Sequence, residues 1–225
     1  MSKKSFRSRL LWFFLVKLPL AFVLVTVLWV TALKWVPVIA TPLMVQRSIE
    51  YRNEEDFRTH YHWRPLGKIS PEMAKAVIAS EDNRFMDHDG FDRIEIKKAI
   101  EDHRKKGKKL RGASTMFCIP SRSMTRKVFE AYFTVLIEKI WGKERILEVY
   151  LNVAEMGKGI YGAEAAAQQH FGHSATELTR RESCLITACL PNPLERNAAK
   201  PSNYVSKRAN DIAALEPKLV FPDWI

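Results

Sequence analysis

Between Glu81 and Asp92 the chain reads EDNRFMDHDGFD, which puts four aspartates, one glutamate, one histidine and one arginine in twelve positions. Three kinds of feature use such a cluster: a metal loop, a solvated turn, or a carboxylate set up to move a proton. Ala74, Val77, Ile78 and Glu81 recur at i, i+3, i+4 and i+7, so a helix here carries the Glu81 carboxylate at the end of an apolar stripe. Asp82 turns away by about 100°. A carboxylate against an apolar wall resists ionisation, and its pKa rises toward the range useful to a general base. A helix-terminal glutamate pointing into water satisfies the same spacing. Asp87, Asp89 and Gly90 hint at a calcium loop, but the alternating oxygen ligands and the closing bidentate glutamate are missing. Asp89-Gly90 is better read as a turn, and Asp92 as the cap of a following helix. Further on, Arg126 and Glu130 stand four apart. That spacing serves a cation aimed at an anionic group, and equally a surface ion pair worth about 0.3 kcal/mol.

Helices must position these groups, and helix signals follow one another closely. Ser70-Pro71-Glu72 gives an N-cap, a proline at the first helical position and an early acid. Asp92-Arg93-Ile94-Glu95 is a capping box opening the next helix. Phe129, Tyr132, Phe133, Leu136 and Ile140 form the apolar stripe of a third, broken at Gly142. Ile146, Leu147 and Tyr150 mark a fourth, and residues 160–171 a short helix rich in small residues. Thr179-Arg180-Arg181-Glu182 caps another that stops before Pro191, and residues 201–215 read as the last. Period-two alternation is almost absent, so the fold is expected to be mainly α. Residues 46–65 are polar and irregular, a linker or membrane-proximal arm. The odd cysteine count, Cys118, Cys184 and Cys189, carries no metal-ligand spacing and no disulfide framework. Cys184 and Cys189 fall in an apolar helical stretch as small core residues.

From Leu10 to Leu33 the only charge is Lys17, a run long enough to cross a hydrocarbon core of roughly 30 Å. Lys17 lies near its start, where its stem can snorkel to the interface, and Pro19 is expected to kink the helix. Trp29 and Trp35 bracket the far end as interface anchors do. Val30-Thr31-Ala32 is a poor cleavage site, and the run has no polar stripe, so a retained anchor is favoured over a signal peptide or a core helix. Lys3, Lys4, Arg7 and Arg9 precede it and place the N-terminus in the cytoplasm, with the rest periplasmic in a cell that has a periplasm. The net charge of +11 suits an anionic membrane or a phosphate-bearing lipid, and not nucleic acid, as the partner of an external domain. The basic run Arg104, Lys105, Lys106, Lys108, Lys109 and Arg111 reads as a solvated loop drawn to anionic headgroups.

Ala79 to Phe85, with His88 and Gly90-Phe91-Asp92, resembles the first motif of the peptidoglycan glycosyltransferases. The resemblance is closest to the monofunctional biosynthetic transglycosylases, relatives of the glycosyltransferase domain of penicillin-binding proteins. It continues in order through Gly112-Ala113-Ser114-Thr115, Arg126-Lys127-x-x-Glu130 and Lys143-x-x-Ile146-Leu147-Glu148-x-Tyr150-Leu151-Asn152. Tyr161-Gly162-Ala163-Glu164-Ala165-Ala166 and Leu190-Pro191-Asn192-Pro193 follow. It implies a lysozyme-like helical domain behind one transmembrane helix, acting on lipid II to build glycan strands and release undecaprenyl diphosphate. By motif, Glu81 becomes the base that deprotonates the acceptor hydroxyl, which attacks the donor's anomeric carbon with inversion. Asp82 and Phe85 shape the cleft, with Ser114 and Thr115 on the substrate side. Arg126 and Lys127 face the pyrophosphate, and Glu130 is the second carboxylate, orienting those cations or the donor. No cofactor is required; a divalent cation, Mg or Mn, is admitted as a bridge between the pyrophosphate and the acids near Glu81 and Asp82.

This reading divides the chain into a basic tail (1–9), the anchor (10–33), a linker (34–65), the glycosyltransferase domain (66–215) and a C-terminal tail (216–225). The stretch after Leu215 is too short for a transpeptidase domain, so cross-linking is expected of a partner among the wall-synthesis proteins. One departure stands out. Where the family has a Gln-Gln and then a Lys-Asn pair, Thr115-Met116 runs directly into Phe117-Cys118-Ile119-Pro120. The interval from Glu81 to Glu130 is short by roughly two helical turns. Loss of one cation from an electrostatic site costs about 3 kcal/mol of transition-state stabilisation. A second expectation of another class follows, an impaired member that binds lipid II or the wall machinery without polymerising. A third, a lysozyme-like hydrolase, has no use for the cations at Arg126 and Lys127.

Overall fold

The computed structural model describes residues 10–92, 94, 97, 101 and 124–225, with the backbone alone for 124–126. The basic tail, the basic run, Ser114, Thr115, Cys118 and the shortened interval after Thr115 lie outside the described residues.

Helix α1 (Leu10–Ala32) is long and apolar enough to cross a membrane. Its side chains face outward, Leu15 being 67% and Trp29 66% exposed. Pro19 does not break it. The turn Phe13–Lys17 widens to π geometry, with the Leu18 N–H bonding Phe13 O, so a widened turn stands where a kink was expected. Lys17 Nζ lies 4.9 Å from the Trp12 ring centre. The last carbonyls of a helix lack intrahelical donors. Here Trp29, Thr31 and Ala32 carbonyls accept from the backbone that follows and Val30 O from the domain, where Trp141 Nε1 donates to it at 2.7 Å; just beyond the helix Arg145 Nη2 donates to Leu33 O at 2.7 Å and Val36 O at 2.6 Å. The anchor is therefore built into the domain.

Two elements appear where the sequence reads as an irregular arm. Helix α2 (Pro42–Glu50) starts at Thr41, whose hydroxyl accepts from Met44 N, and β1 (His60–Tyr61) follows. A two-residue strand leaves no periodicity to read. Helix α3 (Pro71–Glu81) begins where expected, but the Ser70 hydroxyl does not cap it. It donates to Leu178 O at 2.8 Å and ties the start of α3 to the segment before α7. Next come α4 (Met124–Trp141), α5 (Lys143–Val153), β2 (Glu155–Gly157), β3 (Ile160–Tyr161), α6 (Gly162–Phe171), α7 (Arg180–Cys189) and α8 (Asn203–Leu215). Ile160 and Tyr161, expected at the head of a helix, are strand instead. β3 pairs parallel with β1 and antiparallel with β2, in the order β1-β3-β2. Gly162 (φ +81°) then turns the chain into α6, with its α-carbon against the Asn152 backbone; a Cβ there would meet Asn152 O at 2.3 Å.

The fold is mainly α, as expected. α3 packs on α7 and α8, and α7 on α8. Met73, Ala76 and Val77 meet Ile186, Ala188 and Cys189 and then Val205, Ala209 and Ile212 in one buried core. Cys184 and Cys189 are free thiols within it. α4 lies against α1: Phe22 meets Phe129 edge-on (centroids 5.9 Å) and Tyr132 (5.8 Å), while Thr26 Oγ1 and the Tyr132 hydroxyl share a 2.6 Å hydrogen bond.

Candidate active site

The stripe on α3 is buried as its spacing requires. Ala74, Val77 and Ile78 are all in the core, and the same face ends at a partly buried Glu81. Burial pushes the Glu81 carboxyl above the ordinary carboxylate range. The Arg208 guanidinium and a hydrogen bond from Ser80 pull the other way, and the adjoining Asp82 adds a smaller upward push. The cation is supplied by α8. Arg208 Nη2 donates to Ser80 Oγ at 3.1 Å, and Ser80 Oγ donates to Glu81 Oε1 at 3.4 Å. A proton acceptor at a helix end, half in an apolar wall and with its charge partly compensated, is the arrangement general-base chemistry needs.

The acidic stretch after Glu81 is a folded loop with partnered carboxylates. Asp82 Oδ2 lies 2.9 Å from His88 Nε2. Asp92 Oδ1 accepts from Ile94 N at 2.8 Å, the helix-capping role expected of it, and Asp92 Oδ2 lies 3.0 Å from Arg84 Nε. Glu95, the other half of the expected capping box, lies outside the described residues. Gly90 (φ +83°) makes the turn and packs directly on α4, where a Cβ would meet Thr134 Cγ2 at 2.6 Å and Glu138 Cγ at 2.8 Å. Phe85 is 2% exposed, with Lys143 Nζ 4.5 Å from its ring centre and 2.9 Å from Glu138 Oε1. Phe85 thus fastens the loop from beneath, where the resemblance implied a residue shaping the cleft.

Glu130, Thr134 and Glu138 follow at steps of four and share one face of α4, and that is the face on which Gly90 sits. Glu130 is partly buried one turn, about 6 Å, toward the start of α4 from the Gly90 contact. Arg126 takes the preceding position in the row, and its side chain lies outside the described residues. Lys127 is exposed. The loop that follows Glu81 is thus docked at Gly90 on the α4 row that also carries Glu130. Among the described residues no three His, Cys, Asp or Glu side chains converge as a metal-ligand set.

Other motif residues hold the frame. Asn152 bridges the Arg64 backbone, accepting from its N–H at 2.7 Å and donating to its carbonyl at 2.8 Å. Glu148 accepts from Leu66 N and pairs with Arg145 at 2.7 Å. Glu164, fully buried, accepts from Arg64 (3.1 Å), Gln168 (2.7 Å), Ser174 (3.1 Å) and Ala175 N (2.9 Å). Sequence reasoning missed Ser80 and Arg208. The signal for Arg208 was present: Val205, Ala209 and Ile212 form the buried face of α8, and Arg208 occupies the i+3 position of that row. A charge on an apolar stripe calls for a partner.

The transglycosylase family model matches residues 49–215. A biosynthetic peptidoglycan transglycosylase of Bacteroides thetaiotaomicron is 50% identical over 199 residues, covering 84% of this chain and 80% of that protein. One from Caulobacter vibrioides is 46% identical over 215 residues, covering 92% and 91%. One from Shewanella oneidensis is 53% identical over 157 residues, covering 66% and 67%.

Proposed function

Because this chain belongs to the transglycosylase family, we propose that it is a peptidoglycan glycosyltransferase that polymerises lipid II into glycan strands and releases undecaprenyl diphosphate. One observation carries the mechanism: Glu81 closes the buried stripe of α3, with its carboxyl held above the ordinary range by burial. In this reading Glu81 takes the proton of the acceptor sugar's hydroxyl. The freed oxygen attacks the donor's anomeric carbon from the face opposite the pyrophosphate, whose C–O bond breaks with its electron pair leaving on the phosphate. Inversion follows from that geometry. Lys127 and Arg126 supply positive charge to the departing pyrophosphate, which concentrates charge in the transition state. Glu130, in the same helical row, orients the donor or those cations. Ser114 and Thr115 contact substrate, and Asp82, held by His88, fixes the chain just after the base.

The α1 helix supports a membrane-anchored reading in which the N-terminus is cytoplasmic and the domain works on the outer face, where lipid II presents its sugars. No step passes through a metal. Were a Mg or Mn ion to take part, Glu81 and Asp82 would be the acids to hold it and it would supply positive charge to the pyrophosphate, and EDTA in the assay reads its contribution. The test uses full-length protein in detergent with fluorescent lipid II, products being resolved on a gel, and purified peptidoglycan in a parallel tube. A ladder of glycan from lipid II without turnover of finished peptidoglycan is expected. Bound lipid II without polymer would favour the binding-protein reading, and soluble fragments from peptidoglycan would favour a hydrolase.

A further inference from the structure

The Arg208–Ser80–Glu81 chain joins residues that are 128 positions apart, and no ordinary stabilising role accounts for it well. Arg208 stands in the apolar row of α8 between Val205 and Ala209, both of which are buried. Its Nε is buried without a hydrogen-bond partner, while its Nη2 donates to a serine hydroxyl. A surface arginine would keep its water, and a structural one would find a carboxylate to hold in a fork. The charges of the neighbouring element α7 are turned elsewhere: Arg180 to Glu216, Arg181 to Asn210, and Glu182 to His173 and Thr179. Beyond α7, Glu216 also accepts from the Cys184 thiol. The Asp82 carboxylate, next to Glu81, is turned onto His88. Among the described groups that act on Glu81, Arg208 is the one cation.

We infer that Arg208 is a positioning residue for the catalytic base: through the Ser80 hydroxyl it sets the orientation of the Glu81 carboxylate and keeps it ionised at the working pH. The inference rests on the reading of Glu81 as the base. The physical logic is a balance. Burial alone drives a carboxylate toward its neutral form, which cannot accept a proton. A cation one hydroxyl away restores the charged form while leaving the group more basic than a free carboxylate. Ser80 transmits orientation, since its Oγ accepts from Arg208 and donates to Glu81.

The experiment is the pH profile of kcat/KM for lipid II polymerisation by the full-length protein in detergent, with thermal unfolding recorded beside it. The series compares the native chain with Arg208→Gln, Arg208→Lys, Ser80→Ala and Glu81→Gln. Removing the cation raises the pH at which Glu81 ionises, so the acid limb in Arg208→Gln moves upward by about one unit, a tenfold loss of rate at a fixed pH on the limb. Its high-pH plateau stays within about threefold of the native value, while Arg208→Lys keeps the limb near its native place. Ser80→Ala, which leaves both charges, moves the limb by less, in the same direction. It also keeps the inference testable should Arg208→Gln fail to fold. A purely structural Arg208 would lower the plateau and the melting temperature with the limb unmoved, and that result overturns the inference alone. A native limb and native rate in Glu81→Gln would instead overturn the base assignment, and the inference with it.

Discussion

The two sides of this molecule are stabilised by different surroundings. Around Glu81, helices α3, α7 and α8 bury one another, and several of the polar atoms caught between them find protein partners: Ser70 with Leu178 O, Arg208 with Ser80, Cys184 with Glu216. Along α1 and α4 the apolar side chains face outward: Leu15, Trp29, Val128 at 68% exposure and Phe129 at 47%. The first side is completed by protein; the second leaves apolar side chains facing outward among the described residues. A base needs a fixed position and a defined proton affinity, which the first side gives. A polymerase drawing substrate from a bilayer needs a face the bilayer will accept, which the second gives. Trp141 and Arg145 join the two by holding the end of α1.

That contrast can be broken at graded strengths. The largest loss of stability is expected on the protein-buried side. Glu164→Ala removes a fully buried acceptor shared by four donors and leaves the buried Ala175 N–H unmatched. That costs about 3–5 kcal/mol, and a melting curve should drop by 10 °C or more or the chain fail to fold. At the seam, Trp141→Phe keeps the packing and deletes the donor to Val30 O, with an expected cost of about 1 kcal/mol. Denaturant titration in detergent would read it. Tyr132→Phe removes the shared bond with Thr26 for a similar or smaller loss.

Glu81→Gln should move stability the other way. Because the folded carboxyl holds its proton more tightly than an unfolded glutamate, the native chain loses stability as pH rises from about 4.5 through the raised value. The amide has no such loss. The Gln variant should therefore melt higher than the native chain at neutral pH, with the difference closing below the ordinary carboxylate range. An equal gap at every pH would sink that explanation. The smallest effect on stability is expected from Phe129→Ser, whose ring is half in solvent. Unfolding in detergent should hardly change, while polymerisation in vesicles should fall more than in detergent.

What the sequence made legible follows from range. The Glu81 stripe is local and regular, so spacing placed the carboxylate at the end of an apolar row but left open whether it faced water, and the structure leaves it partly buried. The Thr179-Glu182 box capped α7 as read, with Thr179 Oγ1 accepting from Glu182 N and Glu182 Oε2 accepting from Thr179 N. The strands β1 and β3 escaped because two residues show no alternation. Ser70 escaped because its partner lies 108 residues away, and a backbone carbonyl leaves no mark in composition. Arg208 was half legible: a charge in an apolar row announces a partner but does not name it. The packing of α1 on α4 was hidden for another reason. The same apolar surface suits lipid and protein alike, so an anchor's hydropathy does not say which side meets the domain.

The most direct measurement is the rate of lipid II polymerisation against pH for the native chain and Glu81→Gln, with both chains shown by melting curves to be folded at the assay temperature. A buried carboxyl base predicts an acid limb above the ordinary carboxylate range in the native chain. It also predicts a loss of about a hundredfold or more in the variant. A variant that polymerises within about twofold of the native rate, or that keeps the same limb, would contradict the account.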